Sequence, residues 1–402
     1  TVVPAGTGPI TVRYRYYHPE SNNLGKYQKT HLERHNYTVP GTEIKVELEL
    51  GIQTDRTMAD LAAGTAPDVF WSAYSEAGMD RGIKEGMFAL AEDYMTAAGF
   101  DFNDFVEGLR RIYSPDVFGG KMWAIPYEQV VVLWATNPEL FRAAGIEPKK
   151  DWTWDDAIAW GRRITQDKAG KHPDEPGFDI NDVDVWALQP WQAFVIQEYL
   201  PYTAGGTYID DTKTKATIDS DAFVDTLQWL RDIYQTHYIA TMSPPEKGLF
   251  TGKVAMQETG NWALIDFSKN MKEVGCLYTP VHPGKKINAT PWFDKELWLV
   301  KQKDEDRGWA AYRFAAWWAF EVYLDYAIDT GYFPFLKSHM NDQKWLDVIK
   351  DKPYMHVAME MPAFSTPRFW SLFAGATEAQ KALAEMWDAA VKTQSPIKEL
   401  VA

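Results

Sequence analysis

Thr42-Glu-Ile-Lys-Val-Glu-Leu-Glu-Leu50 alternates apolar Ile44, Val46, Leu48 and Leu50 with polar residues. Period-two alternation puts one row of side chains on each face of a strand, so the segment predicts a half-buried strand near a sheet edge. Upstream, Thr11-Val-Arg-Tyr-Arg-Tyr-Tyr17 also alternates, and it breaks at His18-Pro-Glu-Ser-Asn-Asn23, a loop opening a helix over about 24–35. Downstream, a helix around 58–63 stops at Gly64, and Pro67-Asp-Val-Phe-Trp71 reads as a buried strand. Strand, helix, strand, helix, strand predicts an α/β fold: a largely parallel sheet with helices on both faces, and ligands where strand carboxyl ends open into loops.

A chain of 402 residues exceeds what one hydrophobic core usually supports, so two lobes with a cleft between them are expected. Acidic residues outnumber basic ones, 56 to 41, and no long basic run could neutralise phosphates, which argues against nucleic acid as a partner. The most apolar helical stretch, 309–327, is interrupted by Arg313, Glu321 and Asp325, so no membrane span is expected. The first nine residues show no charged and apolar export signal, implying that one was removed or never present. A single cysteine, Cys276, offers neither a disulfide nor metal-ligand spacing, and no cofactor motif occurs: there is no phosphate loop, dinucleotide fingerprint or nucleophile elbow.

Helices are expected over 80–95 and 102–113, followed by the extended run Trp123-Ala-Ile-Pro-Tyr-Glu-Gln-Val-Val-Val-Leu-Trp134. Pro126 inside that run suits a strand leaving one sheet for another, the first crossing between lobes. Helix starts are signalled by Thr153 with Asp156, by Asp219/Ser220, and by Thr377 with Gln380. The charged, Pro- and Gly-containing segment 168–184 reads as a surface loop.

Several distinct fragments follow one another along the chain. They are Leu61-Ala-Ala-Gly-Thr-Ala-Pro-Asp-Val-Phe-Trp71, Gly86-Met-Phe-Ala-Leu-Ala-Glu92 and Trp123-Ala-Ile-Pro-Tyr-Glu128, then Asn137-Pro-Glu-Leu-Phe-Arg-Ala-Ala-Gly-Ile146 before Trp152-Thr-Trp-Asp-Asp-Ala157, and finally Leu249-Phe-Thr-Gly-Lys-Val-Ala-Met256 before Gly260-Asn261-Trp262. Together they resemble the extracellular solute-binding proteins of carbohydrate ABC transporters, the maltose-binding-protein-like family. The resemblance implies a two-lobed periplasmic-binding-protein-like fold, with lobes 1–126 plus 291–334 and 127–290 plus 335–402. It also implies hinge closure on a carbohydrate ligand, ABC permease subunits as partners, and a monomer; several Trp favour an oligosaccharide, since one ring needs only one or two platforms. The expected place is extracytoplasmic, in the periplasm or lipid-anchored at the outer face of the cytoplasmic membrane.

A pyranose offers apolar C–H faces ringed by hydroxyls, so its site needs flat aromatic platforms and short polar groups. The resemblance assigns platforms to Trp71, Trp191, Trp262 and Trp370, with Trp292 beside the return crossing as a further candidate, and a hydroxyl-accepting carboxylate to Glu128. The loop after the first strand adds Glu20 and Asn22. The competing account of any Trp is core packing, which is preferred for Trp229, Trp309, Trp317 and Trp318 at helical spacing among Ala and Leu. Gly260-Asn-Trp in place of the family's Gly-Pro-Trp, and Ser72-Ala-Tyr-Ser75 after Trp71, point away from maltose. Arg13, Arg15 and Arg368 leave room for an acidic sugar, the competing account of the first two being solvated strand residues.

Two other readings compete. His31 and His35, four apart on one helix, could hold a metal, although a polar helix surface is preferred. A glycan-processing enzyme would need two carboxylates across a sugar. Asp294 and Glu296 share one strand, and residues two apart on a strand share a face, so the alternative pairs Asp294 with Glu128.

Overall fold

The computed structural model describes residues 9–73, 78–190, 198–212, 214–366 and 376–401. The chain divides into two compact units, Thr1–Gln129 with Phe293–Val348, and Val130–Trp292 with Ile349–Ala402. The crossings therefore fall at 129/130, 292/293 and 348/349, and the segment 335–348, which the sequence reading assigned to the second lobe, belongs to the first unit. The described strands are β1 (Thr11–Tyr16), β2 (Lys45–Leu50), β3 (Val69–Ser72), β4 (Ala124–Thr136), β5 (Gln166–Asp167), β6 (Val183–Gln189), β7 (Val254–Gly260), β8 (Gly275–Leu277), β9 (Thr290–Leu299) and β10 (Ser365–Thr366). Both β4 and β9 run through a boundary and contribute to each unit.

In the first unit the order is β2-β1-β3-β9, with β1 parallel to β2 and β3, and β9 antiparallel to β3. β2 closes one side of the sheet, and its alternation appears as buried Ile44 and Val46 against exposed Lys45 and Glu47. The register sorts the faces, because Tyr14 lies beside Val69 and Trp71 beside Leu297. Tyr14, Tyr16, Val69, Trp71, Lys295 and Leu297 consequently share one face, while Arg15, Phe70, Ser72, Glu296 and Trp298 share the other.

Helices Asn23–Arg34, Glu305–Trp317 and Tyr323–Thr330 supply the cover for the first face. Tyr14 packs on Phe314 at 5.0 Å, and the Gln28 amide ties three elements together. It accepts from Trp318 Nε1 at 2.9 Å and from the Tyr14 hydroxyl at 3.2 Å, and donates to the Tyr127 hydroxyl at 2.9 Å. A π-helical turn, Trp318–Val322, interrupts the expected 309–327 helix. Trp317 and Trp318 are core residues.

Four expectations change in this unit. Arg15 is neither solvated nor available to a ligand, being buried and paired with Glu49 and Asp60 at 2.7 and 2.9 Å, whereas Arg13 stays partly exposed and pairs with Glu49 at 2.5 Å. His31 is not on a polar surface, since its ring stacks on Tyr27 at 5.2 Å and meets the Trp318 edge at 5.6 Å. Burial, then His35, push its pKa down to about 4. The expected 80–95 helix is two helices, Met79–Lys84 and Ala91–Ala97, because Gly86 at φ 68° takes the left-handed conformation that ends the first. The expected 102–113 helix is a short 3₁₀ turn, Phe102–Asp104, and the helix Leu109–Tyr113.

In the second unit, β4 pairs antiparallel with β7 and β8, β6 lies parallel to β7, and β5 closes antiparallel on β6. Trp134, Trp152 and Trp160 pack together in its core, the first pair edge-on at 5.4 Å and the second stacked at 5.7 Å. The Thr153/Asp156 capping box starts the helix Trp154–Ile164. Trp229 stacks on Trp154 at 5.3 Å from the helix Asp221–Gln235, which Ser220 precedes without a side-chain capping bond. The C-terminal helix Ala376–Lys392 is secured by Arg231, whose guanidinium donates to the Ala390 and Ser395 carbonyls at 2.8 and 2.7 Å. The Thr377/Gln380 cap lies outside the described side chains.

Candidate functional site

At the carboxyl ends of β1 and β3, an aromatic cluster is built around Trp71. Its ring lies 5.2 Å from Tyr16, 5.5 Å from Tyr17 and 5.7 Å from His18, and the Lys295 ammonium sits 4.8 Å from the ring centroid. That cation–π distance is within the favourable range. Burial and then the Lys295 charge hold the His18 pKa below the usual histidine value, so its imidazole is neutral at pH 7.

Glu128 lies deeper. It is 1% exposed, and its Oε1 accepts from the Tyr326 hydroxyl at 2.6 Å and the Tyr16 hydroxyl at 3.3 Å, while its backbone carbonyl accepts from Tyr113 at 3.1 Å. Burial pushes its carboxyl up to about 7; the Tyr326 hydroxyl, the Lys295 charge and the Tyr16 hydroxyl oppose that rise. Neither a solvated strand charge nor an open acceptor describes it. Glu128, Tyr16 and Trp71 are buried, and Tyr17, His18 and Lys295 around Trp71 are half-buried.

The loop candidates have local employment. Glu20 is exposed and pairs with Lys29 at 2.7 Å, and the Asn22 carboxamide caps the helix Asn23–Arg34 by accepting from the Leu24 N–H at 2.8 Å.

In the second unit, β7 ends at Gly260 and turns into the 3₁₀ segment Asn261–Ala263. A methyl group at Gly260 would fall 1.6 Å from Trp262 Cζ3, so the indole lies flat on this glycine. Buried Asn261 anchors the turn, its Oδ1 accepting from the Val131 N–H of β4 at 3.1 Å. A proline here could not do this, which gives the Gly-Asn-Trp departure a physical role. Trp262 itself is half-buried. Two residues earlier on β7, buried Glu258 lies by the Tyr199 hydroxyl, whose pKa burial drives well upward.

Trp71 and Glu128 are thus brought into one cluster, and Trp262 belongs to the other unit. Trp191 and Trp370 lie outside the described residues, as do Tyr74, Ser75 and Arg368; for Trp292 and Asp294 the strand is described but not the side chains. Tyr17, His18 and Lys295 escaped the sequence reading. Alternation and the adjoining loop mark the first two weakly, whereas Lys295 becomes visible only through the β3–β9 register. Among the described residues no group of three or more His, Cys, Asp or Glu could hold a metal ion, and no helix is long and apolar enough to cross a membrane. Cys276 is buried.

The chain thus holds two α/β units that share strands, each with aromatic residues at strand ends. Residues 33–357 match the model of the bacterial extracellular solute-binding proteins, and the chain belongs to that family. An arabinooligosaccharide-binding protein of Halalkalibacterium halodurans is 22% identical over 178 residues, covering 42% of this chain and 36% of that relative. The matched stretch therefore spans about a third of the curated relative's length. Among solved structures, an ABC substrate-binding protein of Listeria monocytogenes in complex with cycloalternan superposes with a TM-score of 0.74 at 20% identity, over 98% of this chain and 96% of that one. The cyclic alpha-maltosyl-1,6-maltose binding protein of Arthrobacter globiformis gives 0.74 at 16% with the same coverage, as does UgpB of Mycobacterium tuberculosis with glycerophosphocholine at 18%. At these identities the likeness is one of fold.

Proposed function

We propose that this protein captures a carbohydrate outside the cytoplasm, an oligosaccharide of several rings, and hands it unaltered to the permease of an ABC importer. The observation that carries the reading is Trp262, a half-buried indole laid on Gly260 at the carboxyl end of β7. A flat ring at a strand end is what a pyranose C–H face requires. In the first unit, taken by itself, Trp71 is an indole at a strand end with His18 and Lys295 beside it as polar groups. Relatives named for arabinooligosaccharides, cycloalternan and cyclic maltosyl-maltose support a ligand longer than one ring. The protein works as a monomer, in the periplasm or tethered by a lipid at the outer face of the cytoplasmic membrane.

A thermal-shift screen over arabino-, xylo- and malto-oligosaccharides tests this, followed by chromatography of the best ligand after long incubation. A concentration-dependent rise in Tm with the sugar recovered intact is expected. Absence of any shift across the panel would overturn the carbohydrate reading, and cleaved sugar would turn it into an enzyme.

A further inference from the structure

We propose that Glu128 is a positioning residue: through Tyr16 it sets the pose of the Trp71 ring, and its charge state makes the ligand-facing layer of the first unit responsive to pH. For its ligand this rests on the carbohydrate reading above.

The geometry supports an indirect role. Two phenol donors converge on one oxygen of a side chain that is 1% exposed, one from the carboxyl end of β1 and one from the helix Tyr323–Thr330. Tyr16 then packs on Trp71 at 5.2 Å, and Trp71 carries Tyr17, His18 and Lys295 outward. An ionised carboxylate accepts only, and its charge strengthens both hydroxyl bonds; protonation weakens that acceptance and loosens the hold on Tyr16.

The titratable groups facing Glu128 are mostly phenols, and the Tyr113 hydroxyl, from the helix Leu109–Tyr113, meets its backbone carbonyl. Tyr14 and Tyr16 on β1, Tyr127 on β4, Tyr323 and Tyr326 on the helix, and Tyr332 beyond it are all phenols that burial drives well above the usual range. β9 contributes the Lys295 ammonium, while Glu296 is placed on the opposite sheet face, level with Ser72. His18, on the loop after β1, has its titration displaced downward.

The test uses the full chain labelled with ¹⁵N-tryptophan, the Trp71 indole resonance being assigned through Trp71→Phe. In the parent that resonance is expected to move with a midpoint near 7, to stay fixed in Glu128→Gln, and to shift its midpoint upward in Tyr326→Phe, which removes a donor to the carboxylate. In parallel, the Kd for the best oligosaccharide is expected to weaken up to about tenfold between pH 8 and 6 in the parent. Glu128→Gln should stay near the parent's pH 6 value throughout. A Trp71 resonance that does not titrate, or titrates equally in Glu128→Gln, overturns the proposal. So does a Glu128→Gln affinity far below the parent's at pH 6, which is the mark of direct sugar contact. Should Trp71 titrate while no sugar binds at any pH, the carbohydrate reading falls and the positioning role stands.

Discussion

Gly260→Ala is the sharpest single perturbation. Gly260 has φ −110° and ψ 169°, ordinary extended backbone, so alanine brings no main-chain strain. The whole effect falls on Trp262, since the added carbon would lie 1.6, 2.0 and 2.2 Å from Cζ3, Cε3 and Cη2. Carbon atoms rest at about 3.5–4 Å, so the indole must retreat by roughly 2 Å or swing to another rotamer. Forced overpacking costs about 1–3 kcal/mol. Because Trp262 is only half-buried and can move outward, Tm should drop at the low end of that range. Affinity should suffer more: loss of a central aromatic anchor costs about 2 kcal/mol or more, roughly thirtyfold in Kd. Isothermal titration beside a thermal melt separates the two. A Gly260→Ala protein with unchanged Kd, or a crystal structure of it with the indole unmoved, would refute the reasoning.

Further predictions concern the frame beneath the site. Glu128 is held above its unfolded value of 4.5, so its ionisation works against folding: the penalty is absent below pH 4.5, grows as pH rises toward 7, and is complete above it. Glu128→Gln should therefore match the parent's stability near pH 4 and exceed it by up to about 3 kcal/mol at pH 8, as read by urea melts; equal stability at pH 8 would contradict the assignment. Arg15→Met strips the buried partner of Glu49 and Asp60 and is expected to cost about 3–5 kcal/mol, with a loss under 1 kcal/mol in chemical denaturation counting against it. Gln28→Leu orphans the Trp318 and Tyr127 partners and should cost about 1–3 kcal/mol while leaving sugar affinity unchanged by titration.

Which features were readable in advance follows from the range of the interactions behind them. The β2 alternation and the Thr153 capping box are local patterns, and both appear where they were expected. Arg15 read as solvated because its partners, Glu49 and Asp60, are 34 and 45 residues away. Glu128 was picked out as a carboxylate, but its depth depends on Tyr326, 198 residues on, which no local pattern reports. His31 looked like a surface residue at helical spacing until the helix carrying Trp318 covered it. Lys295 joins the Trp71 cluster only because β9 returns antiparallel in a register that puts Leu297 beside Trp71; a slip of one residue would send it to the opposite face.

The central claim is that this receptor holds a carbohydrate on tryptophan surfaces. Titration calorimetry of the parent and of Trp262→Ala with the best oligosaccharide tests it most directly. The account predicts saturable 1:1 binding by the parent and a loss of roughly thirtyfold or more in Trp262→Ala; heats that never saturate, or an equal Kd in both proteins, would contradict it.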